Sequence, residues 1–219
     1  MARIINIGPK SRSILGDLSG KVGELVYGNW KGIPYVRAKA VKVTNPKTAA
    51  QVDHRAKFTA IIMFLKPLTP FLRVGFKSQN AHMSPHNAAM SFNFNNAITG
   101  VYPDYAIDYS KVLISIGTIT EALSPAILSI TNGEIEFTWE NNSSDYYASS
   151  DDTAVLVVYN ANKQLVITLM SGNSRIDGSQ KITLPASFAG DEVQCYIAFQ
   201  NYKQSIISNS LYVGGLIVT

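Results

Sequence analysis

From residue 111 to the end, short apolar runs alternate with turn residues, and this alternation limits the choice of fold more than any other feature. Turn signals such as Asn132-Gly133, Ser171-Gly172-Asn173 and Ala189-Gly190-Asp191 separate the runs. Eight candidate strands result, at 112–116, 127–130, 134–140, 154–159, 165–170, 180–184, 193–200 and 206–213. Short strands at this spacing are typical of an all-β sandwich. The sequence therefore predicts an immunoglobulin- or fibronectin type III-like sandwich over residues 111–219.

The first half of the chain has a different pattern. Residues 22–30 and 33–37 are β-like and are separated by Lys31-Gly32, which predicts a hairpin. Helical spacing of apolar residues then predicts helices at about 45–65, 68–77 and 85–98. Ser84 is the expected cap of the third helix, with Pro85 at its first position. The prediction is thus an α+β module over residues 1–110, a β-hairpin plus about three helices preceded by an N-terminal arm, followed by the sandwich.

The two predicted domains differ in charge. The whole chain carries a net charge of +4, but residues 1–110 have 14 Lys and Arg against 5 Asp and Glu, a net charge of +9. Residues 111–219 have 5 against 10, a net charge of −5. Opposite charges on two parts of one chain favour head-to-tail contact between copies and speed their association.

Signals for catalysis or metal binding are weak. Cys195 is the single cysteine and lies on an apparently buried strand face, where thiols are usually inert. The pair His82 and His86 is interrupted by a helix-starting proline and has no obvious third ligand. Asp145, Asp151 and Asp152 lack the spacing of a calcium loop and are interpreted as a solvated loop. We therefore expect no enzymatic activity, no cofactor and no metal.

The sequence also suggests a location. The start of the chain lacks the apolar run of a secretory signal. The most apolar stretch, 58–76, contains two charges and two prolines, which disfavours a membrane span. We expect a cytoplasmic protein without a membrane span, with release by lysis or specialised export left open.

Several motifs resemble an uncharacterised bacterial family described only as a domain of unknown function. The motifs include Gly28-Asn-Trp-Lys-Gly-Ile-Pro-Tyr-Val-Arg37, Thr44-Asn-Pro-Lys-Thr-Ala-Ala-Gln51 and Thr99-Gly-x-Tyr-Pro-Asp104. The resemblance covers nearly the whole chain and implies no activity and no site residues. A weaker, local likeness of Asn-Pro-x-Thr-x-x-Gln-x-x-x-Arg to phage structural proteins suggests a particle or filament subunit.

The function predicted from these observations is self-assembly of a structural protein through its N-terminal arm and hairpin. The expected interface residues are aromatic and cationic side chains, which dominate contact energetics: Trp30, Tyr35, Arg37, Lys39 and Arg55. The expected partner is a second copy of the chain. Nucleic acid bound by the basic half is an alternative, and so is a carbohydrate- or protein-binding module that uses Tyr146 and Tyr147.

Overall fold

The structure is a computed structural model that describes residues 3–4, 18–30, 33–42, 45–77, 83–130 and 133–219. Within these residues the chain forms thirteen strands and two α-helices. It divides into two compact units, Met1–Thr48 and Ala49–Thr219. The units therefore separate at Thr48, whereas the sequence analysis placed a domain boundary after residue 110.

The first unit contains one antiparallel sheet. Its strands, in the order β1-β2-β3-β4, are β1 (Arg3–Ile4), β2 (Leu18–Val22), β3 (Leu25–Trp30) and β4 (Ile33–Ala38). Gly23 turns the chain between β2 and β3 with a φ of +58°, a conformation that glycine adopts without steric cost. This turn divides the first strand of the predicted hairpin into two. The predicted Lys31-Gly32 turn lies outside the described residues, as does the N-terminal arm apart from β1.

The second unit begins with the long helix α1 (Ala49–Gly75), which continues through Pro67 and Pro70. A proline inside a helix removes one backbone N–H, so the carbonyl four residues earlier loses its donor. For Pro70 that carbonyl belongs to Lys66, and the Thr69 hydroxyl donates to it at 2.8 Å. Buried leucine and phenylalanine side chains on both sides of the prolines anchor the helix in the core.

Helix α2 (Pro85–Asn96) follows, capped as the sequence predicts. The Ser84 hydroxyl accepts a hydrogen bond from the Asn87 N–H at 3.2 Å, and Pro85 occupies the first turn. A small hairpin comes next, formed by β5 (Ile98–Val101) and β6 (Asp104–Ile107), which the sequence analysis did not predict.

Seven further strands form two antiparallel sheets. They are β7 (Leu123–Ile130), β8 (Glu134–Glu140), β9 (Thr153–Asn160), β10 (Leu165–Leu169), β11 (Ser179–Thr183), β12 (Glu192–Gln200) and β13 (Leu211–Ile217). The order is β11-β8-β7 in one sheet and β10-β9-β12-β13 in the other. Seven of the eight predicted strands overlap these elements; residues 112–116 are not a strand.

The four-stranded sheet of the second unit, β10-β9-β12-β13, is buried on both of its faces. Ala154, Leu156 and Val158 of β9 face the three-stranded sheet, where they share a core with Phe137 and Trp139 of β8. The residues between them face the opposite side and pack in a second core with the helices. That core includes Val155, Val157 and Tyr159 of β9, Tyr196 and Ala198 of β12, and Phe64 and Leu68 of α1. The helices and both sheets therefore form one layered structure.

The predicted fold class is wrong in its helical part. The described residues contain two helices, because the segments predicted at 45–65 and 68–77 belong to the single helix α1. The helices pack on the four-stranded sheet, so the immunoglobulin- or fibronectin type III-like sandwich expected as a separate module does not stand alone. Strands account for most of the regular structure described.

By length and composition alone, α1 is also long and apolar enough to cross a membrane. A helix in the core of a globular protein can have the same length and apolar composition. In this structure Phe64, Leu68 and Leu72 of α1 are buried in the core with the strands.

The packing of α1 on the sheet can be tested with two phenylalanines of the same helix. Phe64 contacts the ring of Tyr159 edge-on, with centroids 5.0 Å apart, whereas Phe58 is 44% exposed. We expect Phe64→Ala to lower the free energy of unfolding by about 3–5 kcal/mol, because a buried aromatic ring leaves a cavity. Phe58→Ala should cost much less. Equal costs in urea denaturation would contradict this packing.

Candidate functional site

The sheet of the first unit has an apolar face that the described structure leaves uncovered. Cross-strand register places six apolar residues on this face, together with Gly20 and Asn29: Val22, Leu25, Tyr27, Pro34, Val36 and Ala38. Val22, Leu25 and Val36 are 52%, 43% and 44% exposed. None of the residues of this sheet whose burial is described is buried. A small sheet with an uncovered apolar face is marginally stable by itself, so this face is suited to burial against a partner.

The opposite face of the same sheet, which we call the basic face, carries cations and an aromatic ring. Lys21 and Arg37 lie on either side of Val26 in one cross-strand row. The neighbouring row pairs Gly28 with Tyr35, and a Cβ on Gly28 would lie 2.7 Å from the Tyr35 ring. The absence of a side chain at position 28 thus lets this ring lie across β3.

The structure places the predicted interface residues in both units. Tyr35 and Arg37 lie in β4, and both are exposed. Lys39 directly follows β4, and its backbone N–H donates to the Glu24 carbonyl. Trp30 ends β3 opposite Ile33, and its side chain lies outside the described part. Arg55 lies on α1 in the second unit, so the structure groups four of the five residues in the first unit.

The compact units concentrate the positive charge further than the predicted domains do. The unit Met1–Thr48 contains nine Lys and Arg against two Asp and Glu, a net charge of +7. The unit Ala49–Thr219 contains ten against thirteen, a net charge of −3. This distribution suits contact between unlike units of different copies. Nucleic-acid binding by the basic segment stays a prediction.

A second notable surface is the loop that joins β8 to β9, residues 141–152, which is anchored by a buried arginine. Arg175 is 0% exposed and donates to Asn142 Oδ1 at 2.6 Å, near the start of the loop. It also pairs with Asp152 Oδ2 at 3.3 Å, at the end of the loop, and donates to the Thr120 carbonyl at 2.8 Å. Its guanidinium lies 3.9 Å from the centre of the Phe199 ring. Burial lowers the pKa of Arg175, and the Asp152 carboxylate acts in the opposite direction.

This anchored loop holds two exposed tyrosines together. Tyr146 and Tyr147 are 82% and 68% exposed, and their rings meet edge-on with centroids 4.3 Å apart. Tyr147 has a φ of +66°, which is uncommon for a residue with a side chain and occurs at functional sites. The Tyr147 carbonyl accepts from the Thr120 N–H. The predicted use of this pair in a binding module stays a prediction.

The sequence analysis missed the role of Asp152, which it interpreted as part of a solvated loop. The side chain is buried and pairs with Arg175, more than twenty positions away in the chain. Spacing along the sequence does not signal such a long-range pair. In the described parts of the chain, no group of three or more His, Cys, Asp or Glu residues could hold a metal ion; His82 lies outside those parts.

Three of the groups with shifted pKa values, Asp53, Tyr105 and Cys195, have a pKa that moves further from neutral pH. On the surface of α1, Tyr105 donates a hydrogen bond to Asp53, which lowers the pKa of Asp53 and raises the pKa of Tyr105. Lys57 pairs with Asp53 at 3.2 Å. Burial raises the pKa of the Cys195 thiol to about 12. A general acid or base works best with a pKa near the working pH, so these groups are poorly suited to either role.

A sequence comparison decides the family. The profile of DUF6266, described as a family of unknown function, matches residues 17–214. The chain belongs to this family. The match confirms the resemblance to a family of unknown function, and it includes β2–β4, both helices, β5–β12 and the first part of β13. No curated protein matches the chain. The local likeness to phage structural proteins stays a prediction.

The anchoring role of Arg175 in this DUF6266 member is testable by substitution. We expect Arg175→Ala to lower the free energy of unfolding by about 3–5 kcal/mol, because it leaves Asp152 buried without its cation. Hydrogen exchange of residues 141–152 should accelerate. The exposed Lys181→Ala is the control and should change neither property. Unchanged exchange in the Arg175→Ala protein would contradict the anchoring role.

Proposed function

We propose that this protein is a non-enzymatic structural protein that self-assembles through the sheet of its first unit. The observation that carries the proposal is the uncovered apolar face formed by Val22, Leu25, Tyr27, Pro34, Val36 and Ala38. A face of this kind gains stability when it is removed from water, at about 25 cal/mol for each Å² of apolar surface buried.

A second copy of the chain is the partner that fits this face best. The six residues carry no charge, so two copies can bring their apolar faces together around a two-fold axis without ionic repulsion in the contact. Lys21 and Arg37 then remain on the outer side of each sheet, where water solvates them. The basic face stays available for an acidic surface of a further copy, in keeping with the net charges of +7 and −3.

Face-to-face packing accounts for this sheet better than pairing along its edge. In the described structure β4 is an edge strand, because it pairs with β3 alone. Pro34 lies inside β4 and has no N–H for a further ladder. Proline is one of the residues that limit addition of a strand to an edge. Burial of the uncovered face is therefore expected to stabilise an assembly more than backbone pairing along the edge of β4 would.

The pKa shifts of the described titratable groups support a non-enzymatic function. Cys195 is buried with its pKa raised to about 12, and Asp53 and Tyr105 are bonded to each other with pKa values that move apart. A nucleophilic thiol needs a lowered pKa, and a general acid or base works best with a pKa near the working pH.

The assembly can be tested by placing charge on either face of the sheet. Sedimentation velocity at micromolar concentration should show oligomers of the wild-type chain. Leu25→Lys with Val36→Lys should shift the distribution to monomers, because two cations would have to be buried in the contact. The matched control is Val26→Lys with Ile33→Lys, which adds the same charge to the basic face and should leave most of the apolar contact intact.

Two outcomes would contradict the proposal. A wild-type chain that stays monomeric across salt and pH does not assemble in this way. Equal loss of oligomers in the two double variants would mean that the effect comes from net charge rather than from the apolar face. Circular dichroism of each variant establishes that the second unit remains folded.

A further inference from the structure

A polar cleft of about 420 Å³ lies in the second unit, away from the tyrosine loop. It is lined by the turn that follows β6, by the turn between β9 and β10, and by residues of β12 and β13. Its polar lining residues include Asp108, Asn162, Glu192, Gln194 and Tyr212. A volume of this size falls within the range of small-ligand sites.

The centre of the cleft is a buried amide held in one orientation. Gln194 is 5% exposed, its Nε2 donates to Glu192 Oε1 at 3.1 Å, and its Oε1 accepts from the Tyr212 hydroxyl at 2.7 Å. An amide nitrogen carries two hydrogens, and the bond to Glu192 uses one of them, so the proposal assigns the other N–H of this lining residue to a ligand. A Cβ on Gly215 would lie 3.0 Å from both Gln194 Oε1 and Glu192 Oε1. The glycine therefore leaves room for this pair of side chains.

The groups around Gln194 include a phenol and two carboxylates. Burial raises the pKa of Tyr212, and the carboxylates of Glu192 and Asp108 add to the effect, so the phenol remains a donor at neutral pH. Asp108 is held by Lys111 at 2.9 Å and by the Ser110 N–H at 3.2 Å. Glu192 is exposed at the mouth of the cleft and supplies an acceptor beside the Gln194 donor.

The mixture of donors and acceptors decides the chemical class of the ligand. An ammonium group only donates and would leave the Gln194 N–H without an acceptor, whereas a phosphate only accepts and would face the Glu192 and Asp108 carboxylates. A hydroxyl group both donates and accepts. Ile107 and Tyr109 add apolar surface against which a C–H face can pack. We propose that this cleft binds a neutral saccharide through its hydroxyl groups.

The proposal is independent of self-assembly and is tested with the full chain. Isothermal titration with glucose, galactose, mannose and N-acetylglucosamine should show saturable binding of at least one sugar. Glu192→Ala should weaken that binding at least tenfold, because it removes the acceptor beside the amide. Asn162→Trp should block the cleft with bulk while leaving Glu192 and Gln194 in place. The control is Glu134→Ala, which removes a carboxylate from the other sheet.

Each other result would overturn the proposal. Absence of binding for all four sugars at millimolar concentration does so directly. Loss of binding in Tyr146→Ala with Tyr147→Ala, but not in Glu192→Ala, would assign the sugar to the tyrosine loop instead. Saturable binding of spermidine but of no sugar would make the ligand a cation. Equal weakening by Glu134→Ala and Glu192→Ala would indicate a general effect of charge.

Discussion

The architecture of the second unit depends on the burial of one sheet from both sides. Successive side chains of a strand point to opposite faces, so a strand covered on both faces has to be apolar at nearly every position. β9 and β12 meet this requirement, with seven and eight buried residues in succession. The helices cover one face and the three-stranded sheet covers the other. Because the strands of this sheet are packed on both faces, the ends of the loops and turns that join them are held in place.

The sheet of the first unit is the opposite case. None of its residues whose burial is described is buried, and its two faces differ in chemistry, one mostly apolar and one bearing Lys21 and Arg37. The second unit has its own buried core, whereas the apolar side chains of this sheet are exposed or half-buried in the described part of the chain. That contrast connects the fold to the proposed assembly, because removal of apolar surface from water is the main favourable term in association.

Arg175 shows how the second unit holds its surface loops. A buried cation is costly unless it is paired and hydrogen-bonded, and here Asp152, Asn142 and two backbone carbonyls supply the partners. Asn142 and Asp152 belong to the two ends of the loop that carries Tyr146 and Tyr147. Gln194 plays a comparable part at the polar cleft, where neighbouring side chains fix the orientation of a buried amide. In both places a buried polar side chain that is hydrogen-bonded to several partners positions exposed ones.

The sequence by itself determined the β-rich second half, the cap of α2 and the concentration of positive charge near the start, because these depend on local periodicity and composition. It did not determine that one helix runs through Pro67 and Pro70, since the replacement bond from Thr69 and the core contacts are properties of the folded chain. Strand alternation carried the information about the two faces of the first sheet, but register was needed to group its residues. Only the tertiary structure brought Arg175 to Asp152 and Gln194 to Tyr212, because long-range contacts leave no spacing signal in a single sequence.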